Sequence, residues 1–461
     1  MSLLVRPSSK AALKAFAEQL GPLPAARAFG HREVQKVFEA IKKCSDNIFY
    51  DRIRIMGGDE QKTSCWATLD FDCVAFVNVD EQFWDPINLE QRIDDLEKRV
   101  VRSWELNLAK NLPEITVEFP NGCKWAKLEW NNYSLTADIV VGVNTITESD
   151  RIENSASGEK KRADLQSERV MRAVSNFGKS EADQNKILKK EIISVSVMER
   201  SSYLMTQKPA LNTEVARLAK FWALINKAVK MKGLSSLISI IASDCNSNLT
   251  LLEAFTKFLG KIAKWKDLSI DHSLDIRGIP KLHQKPKVVD PGNIFDNYLK
   301  AKSGSNTLAV FKKRSLKTKK QLSTISENSD WASIADCFLL DRYPRLDKRL
   351  FKTVIFEIKI SNNHALFPQV RVGKKGRKHR FIAQVFLLMK IAASFVPRLN
   401  CDGSPRDTAL IAKDLKMLLT TRLNATFVSS ISSQQKKNKT HMSFELPVAS
   451  EESSLAIEGF V

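Results

Sequence analysis

The sequence predicts an α/β to α+β fold: a mixed α/β N-terminal half, a helical middle and an α+β C-terminal region. Three observations lead there. Between His31 and Val143, strand-like runs rich in β-branched and aromatic residues interleave with helical periods. From Asn212 the apolar period turns helical, and beyond about Ser329 short alternating runs return. With 461 residues, 43% hydrophobic and 8% aromatic, the chain can bury two or three cores, which excludes global disorder. The expected organisation is a lead-in over 1–30, an α/β domain over 31–205, a helical domain over 206–304, and a basic linker with a C-terminal region over 305–461.

The lead-in mixes helix formers with the breaks PSS and GPLP, so a short helix and a loop are expected. His31 to Lys43 places Val34, Val37, Phe38 and Ile41 on one face, an amphipathic helix. RIRIM, Arg52 to Met56, is a strand that ends at Gly57-Gly58, and Leu69 to Val79 is a second strand. Asp85 to Leu108 carries Leu89, Ile93, Leu96 and Val100 at helical spacing. ITVEF, CKWAKLEW and YSLTADIVVGV then form a meander, with the hairpin signal Asn121-Gly122 between the first two. Thr145 to Val170 has few large apolar residues and is expected as a flexible insertion or surface segment.

In the helical part, Val215, Leu218, Ala219, Trp222, Leu224 and Ile225 build one strong helix; Leu234 to Ala242 and Leu249 to Ala263 are two more. Residues 281–321 hold eleven Lys or Arg against two Asp and read as a basic linker. FKTVIFEIKI is a strand, VRVGKKGRKHR a basic turn, and Phe381 to Val396 a buried helix too short to span a bilayer.

Lys plus Arg total 72 against 52 Asp plus Glu, a net charge of +20. Such an excess suits polyanionic partners or simply solubility. KKRSLKTKK, from Lys312, and RVGKKGRKHR, from Arg371, are the densest basic runs; they fit RNA phosphates, and the first equally fits a nuclear-targeting stretch or a solvated linker. No secretory leader is readable at the N-terminus, and seven scattered cysteines without CxxC suggest neither a disulfide framework nor a zinc ribbon. A cytoplasmic location, with the nucleus as a second site, is the expectation. GxSxG, GxxxxGK[ST] and HExxH are all absent, so serine-hydrolase, P-loop and zincin readings lack a motif.

The chemistry concentrates in three carboxylates. Asp70 and Asp72 sit two apart in a strand, so both point to one face. Their mutual repulsion raises each pKa unless a cation lies between them, and Mg²⁺ suits a few carboxylate oxygens plus substrate phosphates. Asp138 stands in the apolar run TADIVVGV, where an unpaired charge is costly. Three acids on one sheet face can hold two metals. Gly57-Gly58 lets backbone N–H groups approach a phosphate, or is only a turn. Trp66 is core or a stacking platform for a base. Arg217 and Lys220, three apart, share one helix face that is either solvated or turned into a cleft.

The order strand, Gly-Gly, polar loop, DxD strand, helix, hairpin and third-Asp strand resembles the nucleotidyltransferase superfamily, in its oligoadenylate synthase and cyclic GMP-AMP synthase branch. MGGDEQKTSCWATLDFDCVAFVNV is similar to the branch's Gly-Gly-Ser loop and paired-Asp strand, SLTADIVVGV to its third-Asp strand, and PALNTEVARLAKFW and KPKVVDPGNIFDN to the first strong helix and closing stretch of its second domain. The resemblance covers about residues 30–300. It implies a nucleotidyltransferase core sheet followed by a helical domain. It also implies two Mg²⁺ ions, with Mn²⁺ as an alternative, on Asp70, Asp72 and Asp138. A nucleoside triphosphate, ATP first, would be held by Gly57, Gly58, Thr63, Ser64, Arg217 and Lys220. Double-stranded RNA or another polyanion is the implied activator. Departures are Asp59 in place of the serine after Gly-Gly, Leu237-Ile238 in place of the Gln-Tyr pair, and no His/Cys zinc insertion. The alternatives are a catalytically silent RNA-binding scaffold of the same fold and a terminal nucleotidyltransferase acting on RNA ends.

Overall fold

The computed structural model describes residues 12–338, apart from 22–23, 45–46, 64–68, 121–124, 131–134, 178–180, 189, 226–233, 247, 280–285, 300–305 and 327–336, together with 354–361, 366–371, 410, 430–436 and 439–446. Three of the sequence-predicted features, Ser64, Trp66 and the Asn121-Gly122 turn, lie outside the described residues, as does the helix expected over 381–396.

The first domain is built on a five-stranded sheet. In chain order, helices α1 (Ala12–Leu20) and α2 (Pro24–Lys42) precede β1 (Tyr50–Met56), the single turn α3 (Gly57–Glu60), β2 (Leu69–Asn78), α4 (Leu89–Asn111), β3 (Ile115–Glu118), β4 (Trp125–Trp130) and β5 (Leu135–Asn144). The strands lie in the order β1-β2-β5-β4-β3. β3, β4 and β5 pair antiparallel, as the meander predicts, and β5 then inserts parallel to β2. Alternation sorts the side chains: Phe71, Cys73, Ala75 and Val77 of β2, with Ala137, Ile139, Val141 and Val143 of β5, join α2 and α4 in one core.

Residues 145–170, expected as a flexible insertion or surface segment, correct the first of those two expectations. They form no loose insertion: α5 (Ala156–Phe177) is a helix of 22 residues. Its packed face is small and polar, with Gly158, Ala163, Gln166 and Ser167 buried beside Val170, Met171 and Val174, which is why the apolar pattern was faint. Gln166 accepts from the Thr145 N–H and hydroxyl and donates to the Val143 carbonyl, so its burial is satisfied. Helices α6 (Glu181–Leu188), α7 (Glu191–Ser196) and α8 (Met198–Thr206) follow; α7 and α8 lie on the sheet face opposite α2 and α4.

The helical domain gathers α9 (Ala210–Ile225), α10 (Leu234–Ser243), α11 (Leu251–Ala263), the short parallel pair β6 (Ser269–Asp271) and β7 (Lys287–Val289), and α12 (Asn306–Leu322). Two boundaries move. α1 is part of this domain's core, through Leu13, Ala17 and Leu20, and α2 begins at Pro24 rather than His31. The basic run 312–320 is not a linker but lies in α12, whose Leu308, Phe311 and Leu322 enter the same core. Its Lys-rich composition hid a buried stripe that Ser315 and Thr318 complete; Trp222 Nε1 donates to Thr318 Oγ1 at 2.9 Å. Further on, β8 (Val354–Ser361), β9 (Leu366–Arg371), β10 (Ser430–Lys436) and β11 (Lys439–Leu446) form a second, antiparallel sheet in the order β10-β11-β8-β9. No helix among the described residues is long and apolar enough to cross a membrane.

Candidate active site

Asp70 and Asp72 project from β2 on the face away from α2 and α4. The parallel register sets Asp72 beside Asp138 of β5 and Asp70 beside Thr136. Further along the same face Val74 and Phe76, together with Met56 beside Asp72, are covered by Val195 of α7, and Val140 and Met198 pack against them. The acids therefore occupy the uncovered end, where Asp70 and Asp72 are exposed and Asp138 is half-buried.

Crowding shows in the electrostatics. Asp72 opens to solvent but is closely surrounded by protein, and burial, then repulsion from Asp70 and Asp138, pushes its carboxyl up to about 6 against the pull of Lys220. Burial and Asp70 also push Asp138 up, while Lys127, its cross-strand neighbour on β4, pulls it down. Hard oxygen donors that repel one another are the donor set a divalent cation satisfies. The three side chains do not converge, however: Thr136 donates to Asp70 Oδ1 at 2.7 Å and draws it aside. Among the described residues, no three acidic, His or Cys side chains are close enough to share an ion. Turning Asp70 inward means releasing that one hydrogen bond, about 1 kcal/mol.

The glycine turn abuts this cluster. β1 ends with Met56 paired to Asp72, and Gly57 turns away at φ +66, a conformation that favours glycine. A Cβ at Gly57 would collide with Asp72 Oδ2, so only hydrogen lets the turn approach the carboxylate this closely. Asp59, the departure from the family serine, does not face that carboxylate cluster as a free charge. It is buried; its Oδ1 accepts from Arg27 Nε at 2.8 Å, and its Oδ2 lies 3.1 Å from Arg27 Nη2 and 2.9 Å from His31 Nε2. Arg27 also donates to its carbonyl. Burial pushes the Asp59 carboxyl up, but the hydrogen bonds from His31 and Arg27 outweigh it and hold it below the usual range.

The turn is also fastened to the helical domain. Lys220 Nζ donates to Thr63 Oγ1 at 2.6 Å, and Thr63 is fully buried. Arg217 donates to the Lys62 carbonyl at 2.7 Å and reaches the Ala17 carbonyl of α1. Of the two cations predicted to share a task, Lys220 lies within the field of Asp72, whereas Arg217 donates to the backbone oxygens of Lys62 and Ala17.

Gly57 and Gln61 further line a small cavity of about 50 Å³ bounded by α8, α10 and the 290–298 segment. Ser202 and Ser239 are buried there with hydroxyls that have no partner among the described residues, and His272 Nε2 is likewise unsatisfied among them. Lys208, Ser235, Ser236 and Asp290 are among the other polar residues of its wall. Sequence reading missed these groups by treating α10 as simply apolar. The available signal was Ser236, Ser239 and Ser243 at helical spacing along LSSLISIIAS, a hydroxyl stripe on a hydrophobic helix. Leu237 and Ile238, in the place of the Gln-Tyr pair, are buried core.

No family model matches the chain, and no curated protein matches it. Solved structures do. The chain is similar to CdnC with ATP from E. coli MS115-1, at 16% identity over 71% of this chain and 96% of that one, with a TM-score of 0.45. It is similar to the STING-associated CdnE c-di-GMP synthase of Capnocytophaga granulosa, at 11% identity over 67% and 85%, TM-score 0.39. A cytoplasmic RNA terminal U-transferase matches at 11% identity over 67% and 92%, TM-score 0.37.

Proposed function

We propose that the chain is a nucleotidyltransferase that joins a nucleotidyl group from a nucleoside triphosphate, ATP first, to a ribose hydroxyl. The observation that carries this reading is the register Asp72–Asp138 with Asp70 one repeat away, on the uncovered end of one sheet face beside a glycine turn. The hydroxyl oxygen forms a bond to the α-phosphorus, the bond from that phosphorus to the bridging oxygen breaks, and pyrophosphate leaves. Asp138 takes the hydroxyl proton. Asp70, released from Thr136, and Asp72 provide the oxygens for two Mg²⁺ ions, or Mn²⁺. Bound there, the ions would activate the hydroxyl and neutralise the leaving group. Lys220, already hydrogen-bonded to Thr63, would meet the donor phosphates together with the Gly57-Gly58 backbone, and Ser64 would join them as the resemblance implies; Arg217 holds the turn against α1. Oligoadenylate-synthase-like specificity and activation by double-stranded RNA are the finer parts of this proposal, supported by the resemblance and by the +20 charge.

One observation favours the alternative of a catalytically silent scaffold: the acids are not gathered for an ion as they stand. Incubating the purified chain with labelled nucleoside triphosphates and Mg²⁺, with and without double-stranded RNA or DNA, and separating products by chromatography tests both. Pyrophosphate release with a new phosphodiester product supports the enzyme. Absence of product with all four nucleotides and either metal leaves the scaffold.

A further inference from the structure

Segments distant in sequence meet on one helical turn of α2. Arg27 and His31 sit four apart on one face of that helix, and both reach Asp59 of the glycine turn. Gly30, between them, abuts the back of β2: a Cβ there would come within 2.3 Å of the Phe71 ring. His31 also stands edge-on to that ring, with centroids 5.6 Å apart. Phe71 lies between Asp70 and Asp72 in the chain and points to the opposite face of the sheet, into the core shared with α2. One turn of α2 therefore touches the glycine turn and the acid-bearing strand together. The grip on Asp59 exceeds neutralisation of its charge. Arg27 bonds both carboxylate oxygens and the Asp59 carbonyl, which also accepts from the Lys62 N–H. Gln61 and Thr63 donate their N–H groups to the Gly57 and Gly58 carbonyls, so the fastened carbonyl belongs to the set of bonds that shapes the turn. An ionised carboxylate only accepts, so His31 presents a protonated Nε2.

We propose that Arg27, Asp59 and His31 form a positioning clamp, in which α2 holds the glycine turn against Asp72 by the acid at position 59. The clamp rests on the nucleotidyl-transfer reading only for the ligand that the turn would receive; the fastening itself rests on the contacts above. A serine at 59, the residue of the family pattern, is uncharged and has one side-chain oxygen, so it would leave Arg27 and His31 without their shared anion. Restoring that family residue therefore has an unexpected sign. Asp59→Ser removes a negative charge near the place a phosphate would take, yet it weakens donor binding, because the turn loses its anchor and its backbone N–H groups lose their fixed orientation.

The test uses the full chain with Arg27→Ala, Asp59→Ser and the two combined. Hydrogen exchange at the Gln61, Lys62 and Thr63 amides reads the turn without turnover. Arg27→Ala and Asp59→Ser are each expected to speed it by about tenfold or more, as loss of a buried charge-assisted hydrogen bond requires, while amides of α11 keep their protection. Arg27→Lys keeps the charge without the planar fork; it should give a smaller rise and serves in place of Arg27→Ala should that variant not fold. Calorimetry with α,β-methylene-ATP and Mg²⁺ reads the donor. Asp59→Ser should bind this analogue about tenfold more weakly than the wild type, and adding Arg27→Ala should cost little more, because the two residues act as one unit. Unchanged exchange at the three amides in the folded Arg27 variant overturns the proposal. So does equal or tighter analogue binding by Asp59→Ser. A wild-type chain that binds no analogue, but whose turn loses protection in the variants, keeps the clamp and removes the transferase reading.

Discussion

The two ends of one sheet face carry opposite chemistry. Asp70, Asp72 and Asp138 occupy one end, and Val74, Phe76 and Val140 the other, on the same two strands and the same side of the pleat. At the apolar end, α7 and α8 seal the surface, and Arg52 lies 4.1 Å over the Phe76 ring while pairing with Glu199. At the acidic end nothing comparable among the described residues covers the strands, and the glycine turn and Lys220 stand at the rim. The difference teaches that alternation decides which face a side chain joins, while the helices laid on that face decide whether it becomes core or site.

The strongest way to break this comparison is at the acidic end. Asp70→Asn with Asp72→Asn is expected to lower nucleotide transfer by about a thousandfold or more, as loss of the metal-holding oxygens requires, while the thermal midpoint stays level or rises because repulsion is removed. Wild-type activity in that variant would place the chemistry elsewhere. At the apolar end the expectation reverses. Phe76→Ala should cost about 3–5 kcal/mol in a denaturant titration, with activity per folded molecule changed far less.

The two glycines of the face sharpen the contrast. Gly57→Ala forces a Cβ onto Asp72 at positive φ, and Gly142→Ala brings one to 2.6 Å from Val74. Each should cost about 1–3 kcal/mol, the first from strain and the second from overpacking. Only Gly57→Ala should also depress transfer in the fraction that remains folded; equal activity losses would mean that the turn has no special relation to the acids.

The smallest expected effect concerns an acid that, unlike Asp72, has its cation. Hydrogen bonds from Arg169 hold the Asp150 carboxyl down at about 2, with burial opposing. A folded value below the unfolded one near 4 makes its stabilisation complete above pH 4 and lost as pH falls toward 2. Arg169 is partly exposed, so the contribution is below about 1 kcal/mol. Asp150→Asn should flatten that part of the pH–stability curve; an unchanged slope between pH 4 and 2 would assign it to other carboxylates.

Much of this was legible in the chain, because it depends on short-range pattern. The i, i+2 spacing put Asp70 and Asp72 on one side of a strand, the run TADIVVGV marked Asp138 as an acid among core residues, and the apolar spacing of α9 and α11 announced helices. What only the tertiary structure decided depends on partners distant in sequence. α5 and α12 pack with polar or lysine-rich sequences because Gln166 finds the end of β5 and Thr318 finds Trp222, 96 residues away. Asp59 resembles a charge that would repel phosphate until Arg27 and His31, 32 and 28 residues upstream, enclose it. Arg217 and Lys220, alike on their helix, divide between a backbone carbonyl and the Asp72 field. Periodicity is a local property of the backbone and survives in a string of letters; burial of a polar group is stable only with a partner, and the partner's position is set by the fold.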